Sequence, residues 1–201
     1  MSAVVVVDYD PAWPDLFAAL HGQLWPVVAD LATSIEHVGS TSVPGLAAKP
    51  IIDFDIVVPT VQRIPAVIER LVGLGYRHRG DLGVPGREAF HRPPETVVHQ
   101  VYVCVAGIAS LRNHLAVRDY LRAHPAVASE YGALKKELAR RFPDDIDAYI
   151  EGKSELLGRI LVASGRLSPF EVEAIRIVNK KPGEPQKPEE IGPQINTDEH
   201  R

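Results

Sequence analysis

The stretch SIEHVGSTSVPGLAAKPIIDFDIVVPT, residues 34–60, places two aspartates, Asp53 and Asp55, inside an otherwise apolar run. Valine, isoleucine and phenylalanine favour β-strands, whereas aspartate is one of the poorest strand formers. A buried carboxylate without a partner is unfavourable, and its pKa rises until the group becomes neutral. Since side chains alternate along a strand, both aspartates lie on one face and the apolar residues beside them lie on the other. The stretch therefore predicts a buried strand with an acidic face.

The spacing of the two aspartates suits a divalent metal. Residues two apart on a strand are separated by roughly 7 Å, and two carboxylates at that distance repel each other unless a cation lies between them. Carboxylate oxygens suit Mg²⁺ or Mn²⁺, which binds through one or two carboxylates together with substrate phosphates. We therefore predict that Asp53 and Asp55 bind Mg²⁺ or Mn²⁺ and position a nucleotide. The alternative is an exposed sheet face on which both acids are solvated.

The turn before this strand, Gly39-Ser40, has the composition of a phosphate-binding turn. Glycine lets backbone N–H groups approach a phosphate closely, and the serine hydroxyl adds a donor. Thr41 adds a second hydroxyl, and Lys49 precedes the acidic strand, where it could neutralise phosphate charge. These four residues are candidate nucleotide-binding residues, although Gly39-Ser40 alone also fits an ordinary turn.

The order of these residues resembles a known signature. An apolar strand, Gly39-Ser40, a spacer of twelve residues and then Asp53-Phe54-Asp55 resemble the nucleotidyltransferase superfamily with the polymerase-β-like fold. The longer string HVGSTSVPGLAAKPIIDFDIVV is similar to the GrpB family, a poorly characterised branch of that superfamily. Two later strings, LRNHLAVRDYLRAHPAVASEYGALKKELARRF and YIEGKSELLGRIL, also resemble GrpB proteins. The resemblance covers roughly residues 5 to 165.

The resemblance implies an α+β fold in which a mixed β-sheet with flanking helices is followed by a C-terminal helical bundle. In nucleotidyltransferases of this fold, the Asp-x-Asp pair and a third acid from a later strand hold two Mg²⁺ ions. An acceptor hydroxyl attacks the α-phosphate of a nucleoside triphosphate, and pyrophosphate leaves. Carried over to this chain, Asp53 and Asp55 would be catalytic and metal-binding, and Gly39 and Ser40 would hold the triphosphate.

This chain departs from the family pattern at the third acid. The expected place is the strand TVVHQVYVCVAG, residues 96–107, which contains neither aspartate nor glutamate. His99 or Gln100 stands at that place, and we predict His99 as a metal ligand because neutral imidazole binds Mn²⁺ or Zn²⁺. The alternative is nucleotide binding with a single metal and no catalysis.

Basic residues of the C-terminal half are candidate phosphate ligands. His114, Arg118 and Arg122 recur every four residues and therefore share one face of a predicted helix. We predict that Arg118, Lys135 and Lys153 face the acidic strand and hold the phosphate chain. The alternative for each is a solvated surface side chain.

Hydrophobic periodicity divides the chain into an α/β part and a helical part. Residues 1–107 predict a nucleotidyltransferase-like α/β domain, and residues 108–179 predict a C-terminal helical subdomain with breaks near Pro125 and Pro143. The tail, residues 180–201, is rich in proline and lacks aromatic residues, so we predict that it is disordered.

The predicted sheet is mixed. The stretch AVVVVDYD predicts a first short strand near the N-terminus. A later strand-helix-strand unit requires a parallel crossover, whereas YRHRG and AFHRP predict an antiparallel hairpin.

Composition narrows the class of protein. The chain has 201 residues, of which 45% are hydrophobic, and a net charge of −4, which disfavours DNA as a partner. The single cysteine, Cys104, excludes an internal disulfide. No segment approaches the roughly 20 apolar residues of a membrane span, and the N-terminus lacks the positive charge of a signal peptide. We therefore expect a cytoplasmic protein without a membrane partner.

Three functions remain open at this level. The first is a metal-dependent nucleotidyltransferase that moves a nucleotidyl group from a nucleoside triphosphate, with ATP as the expected donor, to a hydroxyl of a small molecule, a protein or an RNA end. The second is a nucleotide-binding module of the same fold that has little or no catalytic activity. The third is a protein-interaction or chaperone-like domain whose helical half is the working surface.

Overall fold

The computed structural model describes residues 3–173, which form a five-stranded sheet flanked by helices. The strands are β1 (Ser34–Val38), β2 (Ile52–Val58), β3 (Arg77–Gly80), β4 (Arg87–His91) and β5 (His99–Val105). The α-helices are α1 (Trp13–Val28), α2 (Ile64–Gly73), α3 (Ala109–Ala123), α4 (Pro125–Arg141) and α5 (Ile146–Ser164). The predicted α+β fold is therefore confirmed.

The sheet is mixed and has the strand order β1-β2-β5-β4-β3. Strand β2 pairs with β1 in antiparallel and with β5 in parallel orientation, and β4 pairs antiparallel with both β5 and β3. This arrangement confirms the predicted combination of a parallel crossover and an antiparallel hairpin. Because β2 has a neighbour on each side, its two aspartates lie in the middle of the sheet and not at an edge.

One face of the sheet packs against α1 and α2 and forms the main hydrophobic core. Phe54 and Ile56, which alternate with the aspartates along β2, are completely buried there, as is Val103 of β5. Val67 and Leu71, four residues apart on α2, turn one side of that helix toward the sheet and are also completely buried. Burial of the apolar residues in this core therefore explains why β2 forms, and the two aspartates lie on the opposite face of the sheet.

The helical part packs on the opposite, acidic face. Leu111 of α3 packs in one cluster with Val57 of β2 and Cys104 of β5. Helices α3, α4 and α5 then pack together in a second cluster, which also buries the connection between β1 and β2 through Val43 and Leu46. The turn that follows β1 is therefore held between the sheet and the helices.

Two arginines on one face of α3 fix this helix to β1 and to the turn. Arg118 donates through Nη1 to Oε2 of Glu36 at 2.8 Å and to the carbonyl oxygen of His37 at 3.1 Å. Arg122, one helical turn later, donates to the carbonyl oxygen of Ser42 at 2.8 and 2.9 Å. Their four-residue spacing puts both arginines on the side of α3 that faces the sheet.

The N-terminal stretch AVVVVDYD does not form a strand of the sheet, so that prediction is wrong. Within the described residues, its ladder pairing is limited to one isolated antiparallel bridge between Val7 and Ala48. Val4 packs instead against Leu138 and Tyr149 of the helical part. Val4 and Val6 thus contribute apolar surface to a helix pair and not to a neighbouring strand, whereas Val5 and Val7 are exposed.

The predicted boundary between residues 107 and 108 falls in the connection from β5 to α3. Whether the two parts are separate domains stays a prediction. The tail that was predicted to be disordered, residues 180–201, lies outside the described residues. None of the helices within residues 3–173 combines the length and the apolar character needed to cross a membrane.

The contact of Arg118 with β1 generates a stability prediction. Its side chain is 13% exposed, against 31% for its partner Glu36. We expect Arg118→Met to lower the free energy of unfolding by about 1–3 kcal/mol, because it leaves a partly buried carboxylate and a backbone carbonyl without their donor. Chemical denaturation followed by circular dichroism measures the loss.

Arg159→Met is the matched control for that substitution. Arg159 pairs with Glu130 at 3.0 Å, but both side chains are more than half exposed. An exposed pair of this kind contributes about 0–1 kcal/mol, so the control should lose little stability. Equal losses in the two variants would show that Arg118 does not fix α3 to the sheet.

Candidate nucleotide-binding site

Gly39 joins β1 to a turn that touches the acidic strand. Its φ is +67°, in the left-handed region that favours glycine. A Cβ at this position would lie 2.9 Å from Cβ of Asp53, which is closer than real Cβ contacts allow. Ser40 begins the single 3₁₀ turn that follows. The lack of a side chain at Gly39 therefore lets this turn lie directly beside Asp53.

The register between β2 and β5 decides which residues accompany the aspartates. Asp53 lies opposite Gln100, and Asp55 lies opposite Tyr102. Residues that lie opposite each other on neighbouring strands share a face of the sheet. Gln100, and not an acid, therefore stands beside the aspartates on β5.

His99 lies on the other face of the sheet, so the prediction that it shares a metal with the two aspartates is wrong. It pairs with Ile52, which belongs to the main core. Its Nε2 lies 2.9 Å from the hydroxyl of Tyr76, and its Nδ1 lies 2.7 Å from the carbonyl oxygen of Val97. Both ring nitrogens are thus engaged on the core side, and burial lowers the pKa of His99. The alternation of side chains puts residues 99 and 100 on opposite faces.

A cavity of about 320 Å³ lies between the acidic face and the helical part. Polar side chains, among them most of the predicted site residues, and apolar side chains both line it. The predicted residues that line it are Gly39, Ser40, Lys49, Asp53, Lys135 and Lys153. The lining also includes Ile51, Gln100, Asn113, His114, Val117, Leu121, Tyr131, Tyr149 and Leu157.

Lys135 reaches from α4 to the turn. It is 2% exposed, and its Nζ donates to Oγ of Ser40 at 2.7 Å. The same ammonium group lies 4.5 Å from the ring centroid of Tyr131. Burial, together with the positive charge of Lys153, lowers the pKa of Lys135 to about 7. An anion beside Ser40 would therefore stabilise the charged form of this lysine.

Lys153 of α5 and Lys49 lie near a second aromatic ring. Their Nζ atoms are 4.9 Å and 5.9 Å from the ring centroid of Tyr149. Burial and the positive charge of Lys49 lower the pKa of Lys153 to about 8. Within the described part of the chain, neither these two lysines nor Lys135 forms an ion pair with a carboxylate. The cavity therefore holds three amines without a fixed counter-ion.

The two aspartates have different surroundings. Asp53 lines the cavity, and burial raises its pKa to about 6 against the positive charges of His114 and Lys49. Asp55 is completely buried, and its Oδ2 lies 2.7 Å from Nδ1 of His114. Its Oδ1 has no hydrogen-bond partner among the described residues. Because buried polar atoms are nearly always paired, this oxygen is a candidate ligand for a cation.

His114 is a site residue whose contact with Asp55 the sequence did not predict. Burial lowers its pKa, but the negative charge of Asp55 and the hydrogen bond to it outweigh this effect, so the pKa of His114 is raised. Its four-residue spacing from Arg118 was the available signal. That spacing identifies a shared helix face, whereas the contact with Asp55 joins residues 59 positions apart.

Two predicted nucleotide ligands, Arg118 and Thr41, do not line the cavity. Arg118 is engaged with Glu36 on the strand before the turn. Thr41 is 1% exposed, and its Oγ1 donates to the carbonyl oxygen of Ile51 at 3.2 Å and lies 3.1 Å from Nε2 of His37. The structure therefore does not place these two side chains at the cavity, because each joins parts of the fold, and phosphate binding by them stays a prediction.

Comparison with known proteins identifies close relatives. A family model described as "GrpB protein" matches residues 3–162. The chain is 39% identical over 152 residues to the UPF0157 protein YqkA of Bacillus subtilis (strain 168), a match that covers 76% of this chain and 44% of YqkA. The chain thus spans less than half the length of this curated relative.

Solved structures of similar fold include another GrpB protein. The crystal structure of the conserved protein GrpB from Enterococcus faecalis gives a TM-score of 0.72 at 36% identity and covers 80% of this chain and 96% of that one. Structures of Cid1 with its short product ApU and, for a mutant, with MgATP each give a TM-score of 0.50. Their identities are 14% and 12%, and they cover 68% of this chain and 43% and 45% of theirs. At such identities the likeness shows a shared nucleotidyltransferase-like fold.

The close approach of Gly39 to Asp53 leads to a stability prediction, and a second glycine, Gly45, provides the control variant. Gly39→Ala combines a left-handed backbone with a collision against the aspartate, whereas Gly45→Ala, at φ +77°, meets open space. We expect Gly45→Ala to lower the free energy of unfolding by about 1–2 kcal/mol from backbone strain alone, and Gly39→Ala to lower it further. Thermal and chemical denaturation measure both. Equal losses would contradict a tight contact between the turn and Asp53.

The lowered pKa of Lys135 generates a prediction of pH dependence. The pKa is about 7 in the folded protein and about 10.4 in an unfolded chain. Between these values the unfolded state binds more protons, so this group makes folding more favourable as pH rises, by up to about 1.4 kcal/mol per pH unit. We expect the difference in unfolding free energy between wild type and Lys135→Met to move in favour of wild type from pH 7 to pH 9.

Chemical denaturation at several pH values in this range measures the difference. Lys136→Met, which removes a neighbouring lysine paired with Asp8 at the surface, is the matched control. A wild-type advantage that stays constant from pH 7 to pH 9 would contradict a buried, easily deprotonated Lys135.

Proposed function

This chain belongs to the GrpB family, and on that premise we propose that it is a metal-dependent nucleotidyltransferase. It moves a nucleotidyl group from a nucleoside triphosphate, with ATP as the donor to test first, to a hydroxyl acceptor. The observation that carries the proposal is the convergence of the Gly39-Ser40 turn, Asp53 and three lysines on one cavity. The nucleotidyltransferase-like fold supports it.

The charges of the cavity favour a triphosphate. Lys49, Lys135 and Lys153 lie around it without carboxylate partners in the described structure, and two of them have lowered pKa values because they are buried together. A polyanion would relieve this repulsion and would be held more strongly than in water, because the surroundings are partly desolvated. In the proposed complex the phosphates lie at the lysines, and the nucleoside lies against apolar lining residues such as Leu121 and Leu157.

The residues present fit a divalent cation. Asp53 lines the cavity, and Oδ1 of Asp55 is a buried oxygen without a hydrogen bond in the described part of the chain. Within residues 3–173 there is no group of three or more His, Cys, Asp and Glu side chains that could hold a metal by itself. Mg²⁺ commonly takes one or two carboxylates and completes its shell with phosphate oxygens and water. When bound, Mg²⁺ or Mn²⁺ would neutralise charge on the phosphates.

The chain's own residues act in this proposal by position and charge. Ser40 and Lys135 hold the phosphate chain at the turn, and Lys153 offsets negative charge that develops on the departing pyrophosphate. The acceptor oxygen forms a bond to the α-phosphorus while the bond to the bridging oxygen breaks. The acceptor proton passes to water.

A second candidate function is a nucleotide-binding module without turnover. It is favoured by Gln100, whose neutral amide stands beside Asp53 on β5. With one carboxylate fewer than the family pattern, the site would hold less cationic charge near the α-phosphate. The site would then bind the metal–nucleotide complex but would not stabilise the transition state of transfer.

Calorimetric titration tests the site itself. We expect ATP to bind wild type in the presence of Mg²⁺ or Mn²⁺, and Asp53→Asn to weaken binding by at least about tenfold, because the neutral amide is a poorer ligand for a hard cation. Asp15→Asn, an exposed aspartate on α1, is the matched control and should bind as wild type does. An affinity for ATP that changes neither with the metal nor with Asp53→Asn would contradict the proposed site.

Pyrophosphate release distinguishes the two candidate functions. We expect wild type to release pyrophosphate from ATP when it is given Mg²⁺ or Mn²⁺ and a panel of hydroxyl acceptors. Release by Gln100→Glu but not by wild type or Gln100→Met would favour the binding module, because the glutamate restores a carboxylate beside Asp53. No release by any of the three would contradict nucleotidyl transfer.

A further inference from the structure

The acidic face of the sheet becomes basic where it continues onto β4 and β3. Arg87 lies opposite Cys104, which shares the acidic face. His91, four residues later on β4, points to the same side and lies opposite Arg77 of β3. Arg79, beside an irregularity in the pairing of β3, lines a hollow on this side together with His91. Arg77, Arg79, Arg87 and His91 form what we call the basic strip.

The positive charge of the basic strip comes from its three arginines, because desolvation and the charges of Arg79 and Arg77 lower the pKa of His91. In the described part of the chain, none of its three arginines forms an ion pair with a carboxylate. Arg77 and Arg79 are exposed. Arg87 lies 4.7 Å from the ring centroid of Tyr102, and its Nε is buried without a hydrogen-bond partner among the described residues.

The basic strip is continuous with the candidate nucleotide-binding site. The hollow lined by Arg79 and His91 of the strip measures about 340 Å³. It shares two lining residues, Ile51 and Gln100, with the cavity that contains Asp53. A molecule that lies along the strip therefore meets the cavity at Gln100, on the strand beside Asp53.

We propose that the basic strip binds the phosphodiester backbone of a single-stranded oligonucleotide whose terminal hydroxyl enters the cavity past Gln100. This inference rests on the proposed function and names its acceptor. The terminal hydroxyl oxygen forms the new bond to the α-phosphorus of the nucleoside triphosphate. The bond to the bridging oxygen breaks, pyrophosphate leaves, and the hydroxyl proton passes to water, so the strand grows by one nucleotide.

The length and chemistry of the strip favour this acceptor over a small molecule. Four residues along a strand span roughly 13 Å, so Arg87 and His91 are too far apart to hold one phosphate group. Arginine presents a planar fork that matches phosphate geometry. The chain as a whole has a net charge of −4, so the positive charge is a local feature of this face.

A nucleic-acid strand also fits better than an acidic peptide. Its negative charges are regularly spaced, and the reacting hydroxyl belongs to the same terminal unit as the last phosphate contact. An acidic peptide offers carboxylates along its length but fixes no hydroxyl at the end of the strip. The oligonucleotide therefore explains the strip and its junction with the cavity together.

Fluorescence anisotropy with the full chain and a labelled single-stranded RNA of about ten nucleotides tests the proposal. We expect the double variant Arg77→Glu/Arg79→Glu to raise the Kd for this RNA at least tenfold. The slope of log K against log salt should fall in magnitude by about 1.4, since each phosphate contact to a single strand contributes about 0.7. The matched control is Arg63→Glu/Arg140→Glu, which changes the net charge equally at exposed arginines outside the strip.

Equal weakening by both double variants, no RNA binding by wild type, or tighter binding of a polyglutamate peptide than of the RNA would overturn the proposal. ATP titration of wild type and of the strip variant separates this failure from failure of the proposed function. ATP binding without RNA binding would contradict only the proposed oligonucleotide acceptor. If wild type does not bind ATP, the proposed nucleotidyltransferase function is contradicted, whatever the RNA result. Unchanged ATP affinity in the strip variant is the expected control result.

Discussion

Two carboxylates on one face of the central strand β2 impose a charge that the sheet does not neutralise. The positive groups near them lie outside the strands: Lys49 lies in the connection before β2, and the helical part adds His114 from α3, Lys135 from α4 and Lys153 from α5. Burial of such charges is unfavourable unless partners are present. The helical part therefore completes the electrostatics of the strand as well as covering its surface, and the cavity exists only where the two parts meet.

The same contacts that position the helices also shape the cavity. The arginines of α3 hold the backbone at His37 and Ser42, on either side of the Gly39-Ser40 turn. The turn in turn lies against Asp53 because Gly39 has no side chain. Buried amines without counter-ions reduce stability, and such features concentrate at sites that bind ligands. In the proposed function, the bound phosphates supply the missing negative charge.

Most features that the sequence predicted correctly are local, and the position of Lys135 and Lys153 at the cavity beside Asp53 is a long-range exception. The alternation in β2 and the mixed sheet follow from residues close together along the chain. Longer-range features were harder, because they depend on register and on helix rotation. A shift of one residue on β5 separates His99 from Gln100, and so decides which side chain accompanies Asp53. The engagement of Arg118 with Glu36, 82 positions away, depends on how α3 is docked and has no signature in its own neighbourhood.

A crystal structure of the protein with ATP and Mn²⁺, with anomalous data collected to locate the metal, would show whether the cavity binds a metal–nucleotide complex at the two aspartates. We expect an anomalous peak at the carboxylates of Asp53 and Asp55, with the phosphates between the Gly39-Ser40 turn and Lys135. A nucleotide bound away from this cavity, or manganese bound away from both aspartates, would contradict the proposed site.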